Sequence, residues 1–155
     1  MRVLILIGLM LFAGCLYNDK PLPQEVPEDF SLNYSTGAMH VEWGWYNLRI
    51  NSQGNAYLNK GAVGKSLNDS FQLTEEEMLG LYQEVVSNDF FELNEEYLDP
   101  SIMDGGYSTI SVTANGKHHE VRVVNTKQER FSRIETDICS VLEEKLGDWS
   151  KLPFN

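Results

Sequence analysis

The sequence predicts an α+β fold, an antiparallel sheet of about five strands with two helices packed on one face. Three observations lead to this fold class. Several stretches alternate apolar and polar residues, which is typical of half-buried strands. Two others carry an apolar stripe at helical spacing, and an Asn-Gly pair marks a tight hairpin. The elements follow the order strands, helix, hairpin, helix, for which helices on one face of the sheet are the simplest arrangement.

The first two predicted strands lie in residues 28–36 and 40–51. In the first, Phe30, Leu32 and Tyr34 share one parity, so they are expected on one face. In the second, the apolar residues change parity beside Gly44, which predicts a bulge there.

The chain then returns after a turn at residues 52–55. Residues 56–58 predict a third strand, and residues 59–66, with two glycines, predict a loop. Phe71 and Leu73 indicate a short edge strand.

Both predicted helices begin at a capping-box pattern. The first box spans residues 74–77 and opens a helix that runs to about Ser87, and the second spans residues 126–129. Gly147 follows the second apolar stripe and is expected to end that helix. Between the helices, residues 94–106 predict a loop, and residues 107–124 predict a hairpin that turns at Asn115-Gly116.

Length and charge limit the classes of protein. The chain has 155 residues, of which 42% are hydrophobic and 23% charged, as is typical of one globular domain. Its net charge is -11 and its pI is about 4.6. Because an acidic surface repels phosphate backbones, no nucleic-acid partner is expected.

The chain opens with Met1-Arg2 and an apolar run over residues 3–12. This run is too short to span a bilayer, for which about 20 apolar residues are needed, and it fits a secretory signal. Its end, Leu11-Phe12-Ala13-Gly14-Cys15, resembles the lipobox of bacterial and archaeal lipoproteins. The alternative is an ordinary secretory signal in which the cysteine occurs by chance.

The lipobox resemblance implies that residues 1–14 are a signal peptide, removed by cleavage before Cys15. It further implies that Cys15 receives a diacylglycerol group, which would hold the protein in the lipid bilayer of the cell membrane, on the extracytoplasmic face. Residues 15–27 contain three prolines and predict a tether, so residues 28–150 are expected to form the single folded domain.

A second resemblance covers roughly residues 28–145. It rests on Ile-Asn-Ser-Gln-Gly-Asn-Ala after a strand, Leu-Thr-Glu-Glu-Glu-Met at a helix start, Asp-Phe-Phe-Glu-Leu at its end, and Asp-Gly-Gly-Tyr and Asn-Gly-Lys at the hairpin. These motifs resemble uncharacterised domains of small prokaryotic lipoproteins. The resemblance implies an α+β domain without known enzymatic activity, and it assigns no functional residues.

Candidate catalytic and metal-binding residues are few. His118 and His119 are neighbours in a predicted strand, so their side chains should point to opposite faces and cannot chelate one metal. With Cys15 lipidated, Cys139 would have no disulfide partner, and it falls in a helix as a small, partly buried residue. No catalytic residues, metal or cofactor are therefore expected.

Two further patterns have simpler interpretations. Asp99 and Asp104 lack the spacing of a calcium loop and fit turn chemistry better, with a weak cation site as the alternative. Residues 61–66 echo the end of a phosphate-binding loop but lack its first glycine.

The aromatic group Trp43, Trp45 and Tyr46 has two interpretations. The three residues are core residues beside the bulge, or some of them are exposed and form a binding patch, since Trp and Tyr dominate binding hot spots.

These observations favour a membrane-anchored, non-catalytic lipoprotein that binds an unidentified envelope protein or other ligand. One alternative is an inhibitor of a secreted or envelope hydrolase, acting through residues 59–66 or 94–106. A third is a small extracytoplasmic enzyme that uses His40 or the pair His118 and His119.

Overall fold

A computed structural model of the protein describes residues 21–38 and 44–150. It has an α+β fold with one sheet and two α-helices. The strands are β1 (Ser31–Ala38), β2 (Trp45–Ile50), β3 (Asn55–Ala62), β4 (Lys65–Gln72), β5 (Glu96–Leu98), β6 (Gly106–Ala114) and β7 (Lys117–Val124). The helices are α1 (Glu75–Ser87) and α2 (Glu129–Leu146), with a short 3-10 helix at Phe90–Glu92.

The sheet has the strand order β4-β3-β2-β1-β6-β7-β5. All neighbouring strands are antiparallel except β5, which pairs with β7 in parallel. Strand β1 lies at the centre, between β2 and β6. The sheet therefore joins two hairpin systems, β2–β3–β4 on one side and β6–β7 on the other.

The predicted count of about five strands is too low, because the sheet has seven. Residues 59–66, predicted as a loop, instead complete β3, turn at Val63-Gly64 and begin β4. Both turn residues have positive φ, 41° and 75°, as a two-residue hairpin of type I′ requires. Valine rarely adopts this conformation, so the sequence carried no recognisable turn signal.

The predicted order also omitted a strand between the first helix and the hairpin. Residues 94–106 contain β5, where Tyr97 pairs with Val123 of β7. A strand of three residues shows no periodicity, and its parallel pairing depends on where β7 lies. Neither property is visible in the local sequence.

Both helices pack on one face of the sheet and bury a single hydrophobic core there. The strands contribute alternate residues to it, such as Leu32 and Tyr34 of β1 and Leu48 and Ile50 of β2. The helices contribute one stripe each: Met78, Leu81, Tyr82 and Val85 from α1, and Phe131, Ile134, Ile138 and Leu142 from α2.

The two helix starts differ in how well the capping box predicted them. At α1 the box is present: the Glu77 N–H donates to Thr74 Oγ1, and the Thr74 N–H donates to Glu77 Oε2. At α2 the prediction was wrong, because the N-cap is Gln128, whose Oε1 accepts from the Phe131 N–H at 2.8 Å. The chain is still turning out of β7 at residues 125–127. Gly147 ends α2 with a positive φ, as predicted.

The helices lie antiparallel to each other. Lys145 Nζ, near the end of α2, lies 2.6 Å from Glu77 Oε1 in the first turn of α1. Arg130, near the start of α2, lies 3.7 Å from Asp89 Oδ2, just after α1. Among the described residues, no helix combines the length and apolar character needed to cross a membrane.

Part of the proline-rich segment lies against the domain. Gln83 of α1 donates from Nε2 to the Pro23 carbonyl at 2.8 Å, and Val26 packs on the core. The predicted signal peptide and Cys15 lie outside the described residues.

Candidate functional site

The sheet face away from the helices, here called the open face, is uncovered. It carries the alternate residues of each strand, such as Trp45, Asn47 and Arg49 of β2. A depression of about 650 Å³ lies on it, and a second of about 470 Å³ adjoins the first across Asn47 and Arg49. The register of the strands aligns open-face side chains in transverse rows, three of which cross the depressions.

The first row, here called the aromatic row, contains Gly61, Trp45, Gly37 and Tyr107, which pair across β3, β2, β1 and β6. The Trp45 indole occupies the space above Gly61, where an added Cβ would lie 2.9 Å from Cζ2. On the other side, a Cβ at Gly37 would lie 3.1 Å from Trp45 Cβ. The two glycines therefore allow the half-buried indole to lie against β3 rather than stand upright.

The second row, here called the amide row, contains Asn68, Asn59, Asn47 and Ser35, which pair across β4, β3, β2 and β1. Asn59 Nδ2 donates to Asn68 Oδ1, and Asn47 Nδ2 donates to Ser35 Oγ at 2.7 Å. These bonds order the amide groups along the row before any ligand binds.

The third row contains Tyr57, Arg49, Asn33, Ser111 and Glu120, across β3, β2, β1, β6 and β7. Tyr57 is 56% exposed at one end, while Ser111 is only 7% exposed. Arg49 connects this row to the amide row, because its Nε donates to Asn47 Oδ1 at 3.2 Å.

Charge is unevenly divided between the two layers. Helix α1 has four carboxylates and no basic residue, and α2 has five carboxylates and three basic residues. On the open face, Arg49 and Arg122 are accompanied by Glu120, and the Arg122 guanidinium carbon lies 5.6 Å from the centre of the Tyr107 ring. The open face thus carries little of the net charge of -11.

Trp45 and Tyr46 both border the depression of about 650 Å³, but their side chains point to opposite faces of β2. Trp45 lies on the open face, whereas Tyr46 points to the helix side. The Tyr46 ring packs edge-on against the Trp149 ring, with 5.0 Å between the ring centres, and its hydroxyl donates to the Ser150 carbonyl at 2.7 Å. Desolvation on that side raises the pKa of the Tyr46 hydroxyl. Trp43 lies outside the described residues.

The two neighbouring histidines point to opposite faces, as the strand alternation predicts. His118 Nδ1 lies 3.0 Å from Thr113 Oγ1 on the open side. His119 packs against Phe90 and its Nε2 lies 2.9 Å from the Leu93 carbonyl on the helix side. They cannot serve one site, and His40 lies outside the described residues.

Cys139 is half-buried in α2, beside Tyr34 and Glu135. Burial raises the pKa of its thiol, and the Glu135 carboxylate raises it further. Tyr34 donates to Glu135 Oε1 at 2.9 Å. Because a reactive cysteine needs a lowered pKa, this environment does not activate the thiol.

The other candidate patterns have structural roles. Asp99 Oδ1 accepts from both the N–H and the hydroxyl of Ser101, which lowers the pKa of Asp99 and fits the predicted turn. Residues 61–66 form a hairpin rather than the strand-to-helix loop that binds phosphate. Within residues 21–38 and 44–150, no group of three His, Cys, Asp or Glu side chains could hold a metal ion.

The sequence reasoning missed the amide row. Asparagine is depleted in strands, yet it occurs at an outward position in each of β1, β2, β3 and β4, as Asn33, Asn47, Asn59 and Asn68. This repeated exception to strand propensity was the available signal. The predicted loop at residues 59–66 obscures this signal, because it takes in the second half of β3, with Asn59, and the first two residues of β4.

No protein-family model matches the chain, and no curated protein is significantly similar to it.

Proposed function

We propose that the protein is a lipid-anchored, non-catalytic binding module on the extracytoplasmic face of a membrane, and that its open face holds the ligand. The observation that carries the proposal is the depression of about 650 Å³ that contains Trp45, Asn47 and Arg49. It has the size of a small-molecule or oligomer site and lies on the face that the helices leave uncovered.

The chemistry of the depression supports binding. A solvent-facing sheet surface needs only polar side chains, but this one has a half-buried Trp45 in the aromatic row and Tyr57 at its margin. Tryptophan, tyrosine and arginine are the residues most enriched in binding hot spots. All these side chains stand on strands, which hold a site more precisely than loops do.

The position of the depression is compatible with an N-terminal anchor. The chain enters the sheet at Ser31, and the aromatic row crosses β1 at Gly37, six residues further on. At about 3.3 Å per residue, this separation is roughly 20 Å. This separation is compatible with an anchor at Cys15 and a ligand in the aromatic row.

The anchor is tested by Cys15→Ser in the full chain. We expect wild-type protein to incorporate labelled fatty acid and to enter the detergent phase in phase partitioning, because a two-chain lipid holds firmly. Cys15→Ser should do neither, and Cys139→Ser is the matched control that should behave as wild type. Labelling that persists in Cys15→Ser would contradict the anchor.

Binding is tested by retention of envelope material on the tagged, full-length protein. Arg49→Ala and Asn47→Ala should each reduce retention, because they remove a guanidinium and an amide from the depression. Arg133→Ala on α2 and Asn94→Ala before β5 change the same residue types at exposed positions away from the open face, so they should leave retention unchanged. Equal retention by all four variants would overturn the proposed site.

A further inference from the structure

We infer that the ligand is a glycan strand, whose pyranose rings stack on the aromatic row while its hydroxyl groups bond to the amide row. This inference rests on the proposed function, because it names the ligand class of the same open face. Three properties of the face lead to it: the orientation of the Trp45 ring, the order of the amides and the local charge.

The ring of Trp45 is held in place before a ligand arrives. Its Cζ2 and Cε2 atoms lie over Gly61, at 2.9 and 3.2 Å from the position of an added Cβ, so the backbone of β3 supports one side of the indole. The face of an aromatic ring carries partial negative charge, which attracts the partially positive C–H groups on the apolar side of a pyranose. A ring fixed in advance loses little conformational entropy on binding.

The amide row matches the hydroxyl groups of a sugar. A hydroxyl both donates and accepts, and a carboxamide also offers both functions, with two N–H donors and an acceptor oxygen. Asn47, Asn59 and Asn68 stand on three adjacent strands, at spacings of about 4.8 Å. The bond to Ser35 engages one of the two amide hydrogens of Asn47. A linear ligand lying across the strands can therefore meet a donor or acceptor at each strand.

Charge favours a glycan over the other linear polymers. The net charge of -11 opposes a nucleic acid, whose backbone needs many cationic contacts. The aromatic and amide rows are uncharged, and Arg49 adds N–H donors for hydroxyl oxygens beside them. The row residues thus provide many donors and acceptors but few of the apolar pockets that anchor a protein partner.

The test divides envelope material from the cells that produce the protein into two probes. The first is the polysaccharide fraction left after exhaustive protease digestion and lipid extraction, and the second is the protein fraction after chemical deglycosylation. We expect full-length wild type to retain the polysaccharide and not the deglycosylated protein. The reverse result would overturn the glycan while leaving the proposed binding face intact. Retention of neither fraction, or retention that Arg49→Ala leaves unchanged, would overturn both.

The retained polysaccharide is then titrated into variants. Trp45→Ala should weaken binding at least about tenfold, as expected for a hot-spot aromatic. Trp149→Ala is the matched control, because Trp149 lies on the helix side against Tyr46 and should leave the affinity unchanged. If Trp45→Ala does not fold by circular dichroism, Tyr107→Ala replaces it, since Tyr107 belongs to the same aromatic row and borders the same depression. Unchanged affinity in a folded open-face aromatic variant would overturn the stacking.

Discussion

Leu48 and Arg49 are consecutive residues of β2, yet Leu48 is fully buried under the helices and Arg49 is exposed on the open face. The same contrast recurs along the central strands. The helix-covered face holds the core that stabilises the fold, while the open face contributes little burial. One sheet can thus keep the residues that stabilise the fold apart from those presented to solvent, because alternate side chains of a strand face different environments.

The largest expected effect tests this separation directly. Leu48→Ala should lower the free energy of unfolding by about 2–5 kcal/mol, because it leaves a cavity in the core. Arg49→Ala, one residue away, should change it by no more than about 0.5 kcal/mol, as is usual for surface substitutions. Urea denaturation of both variants measures the difference. Comparable losses would mean that the open face also carries stability.

A smaller effect on stability is expected at Tyr46, and it distinguishes this residue from its neighbour Trp45. Tyr46→Phe removes the hydrogen bond to the Ser150 carbonyl and should cost about 0.5–1.5 kcal/mol. It should leave retention of envelope material unchanged, because the hydroxyl lies on the helix side. Chemical denaturation and the retention assay together check both expectations. Reduced retention at unchanged stability would place Tyr46 in the binding site.

A gain in stability is expected at the β3–β4 turn. Val63 is 67% exposed and has a φ of 41°, a conformation that is unfavourable for a β-branched residue. Val63→Asn creates the preferred Asn-Gly pair of a type I′ turn and should stabilise the protein by about 1 kcal/mol, the strain expected for a side chain in this region. Thermal unfolding measures this gain in stability. The reciprocal variant, Asn115→Val at the β6–β7 turn, should destabilise the protein. A lower melting temperature for Val63→Asn would contradict the strain.

The smallest effect is a pH dependence at the end of the sheet where β1 begins. The Asp29 carboxylate accepts from the Gly116 and Asn115 N–H groups, each at 2.7 Å, and these bonds hold the pKa of Asp29 below its usual value. The pKa of Asp29 is lower in the folded state than in the unfolded state. The stabilisation is therefore fully present above a pH of about 3.9, the ordinary pKa of Asp, and it is lost as the pH falls through the folded pKa.

Asp29→Asn should therefore reduce the difference in stability between neutral and strongly acidic pH, as measured by denaturation at each pH. Glu28→Gln, at the exposed neighbouring position, is the control. An unchanged pH profile for Asp29→Asn would show that the carboxylate does not stabilise the hairpin.

Local sequence signals correctly predicted the features that depend only on their own residues. The Thr74 capping box, the stop at Gly147 and the Asn115-Gly116 turn are all present. The prediction failed where a residue adopts a conformation that its type disfavours, as Val63 does, or where a different side chain takes the cap, as Gln128 does.

The candidate site was less predictable than the fold. Trp45 was singled out together with Tyr46. Strand alternation puts the two on opposite faces, but which face stays open depends on which side the helices cover. The amide row was missed altogether, since its members are dispersed over residues 35–68 and meet only through strand register.

By itself, the sequence determined the α+β class, the core stripes of both helices and the tight hairpin at Asn115-Gly116, because these follow from periodicity and local backbone preference. The tertiary structure alone decided the strand order, the parallel partner of β5 and the open face on which Trp45 and the asparagines align. The reason is physical: pairing between distant strands sets the register, and register determines which side chains become neighbours.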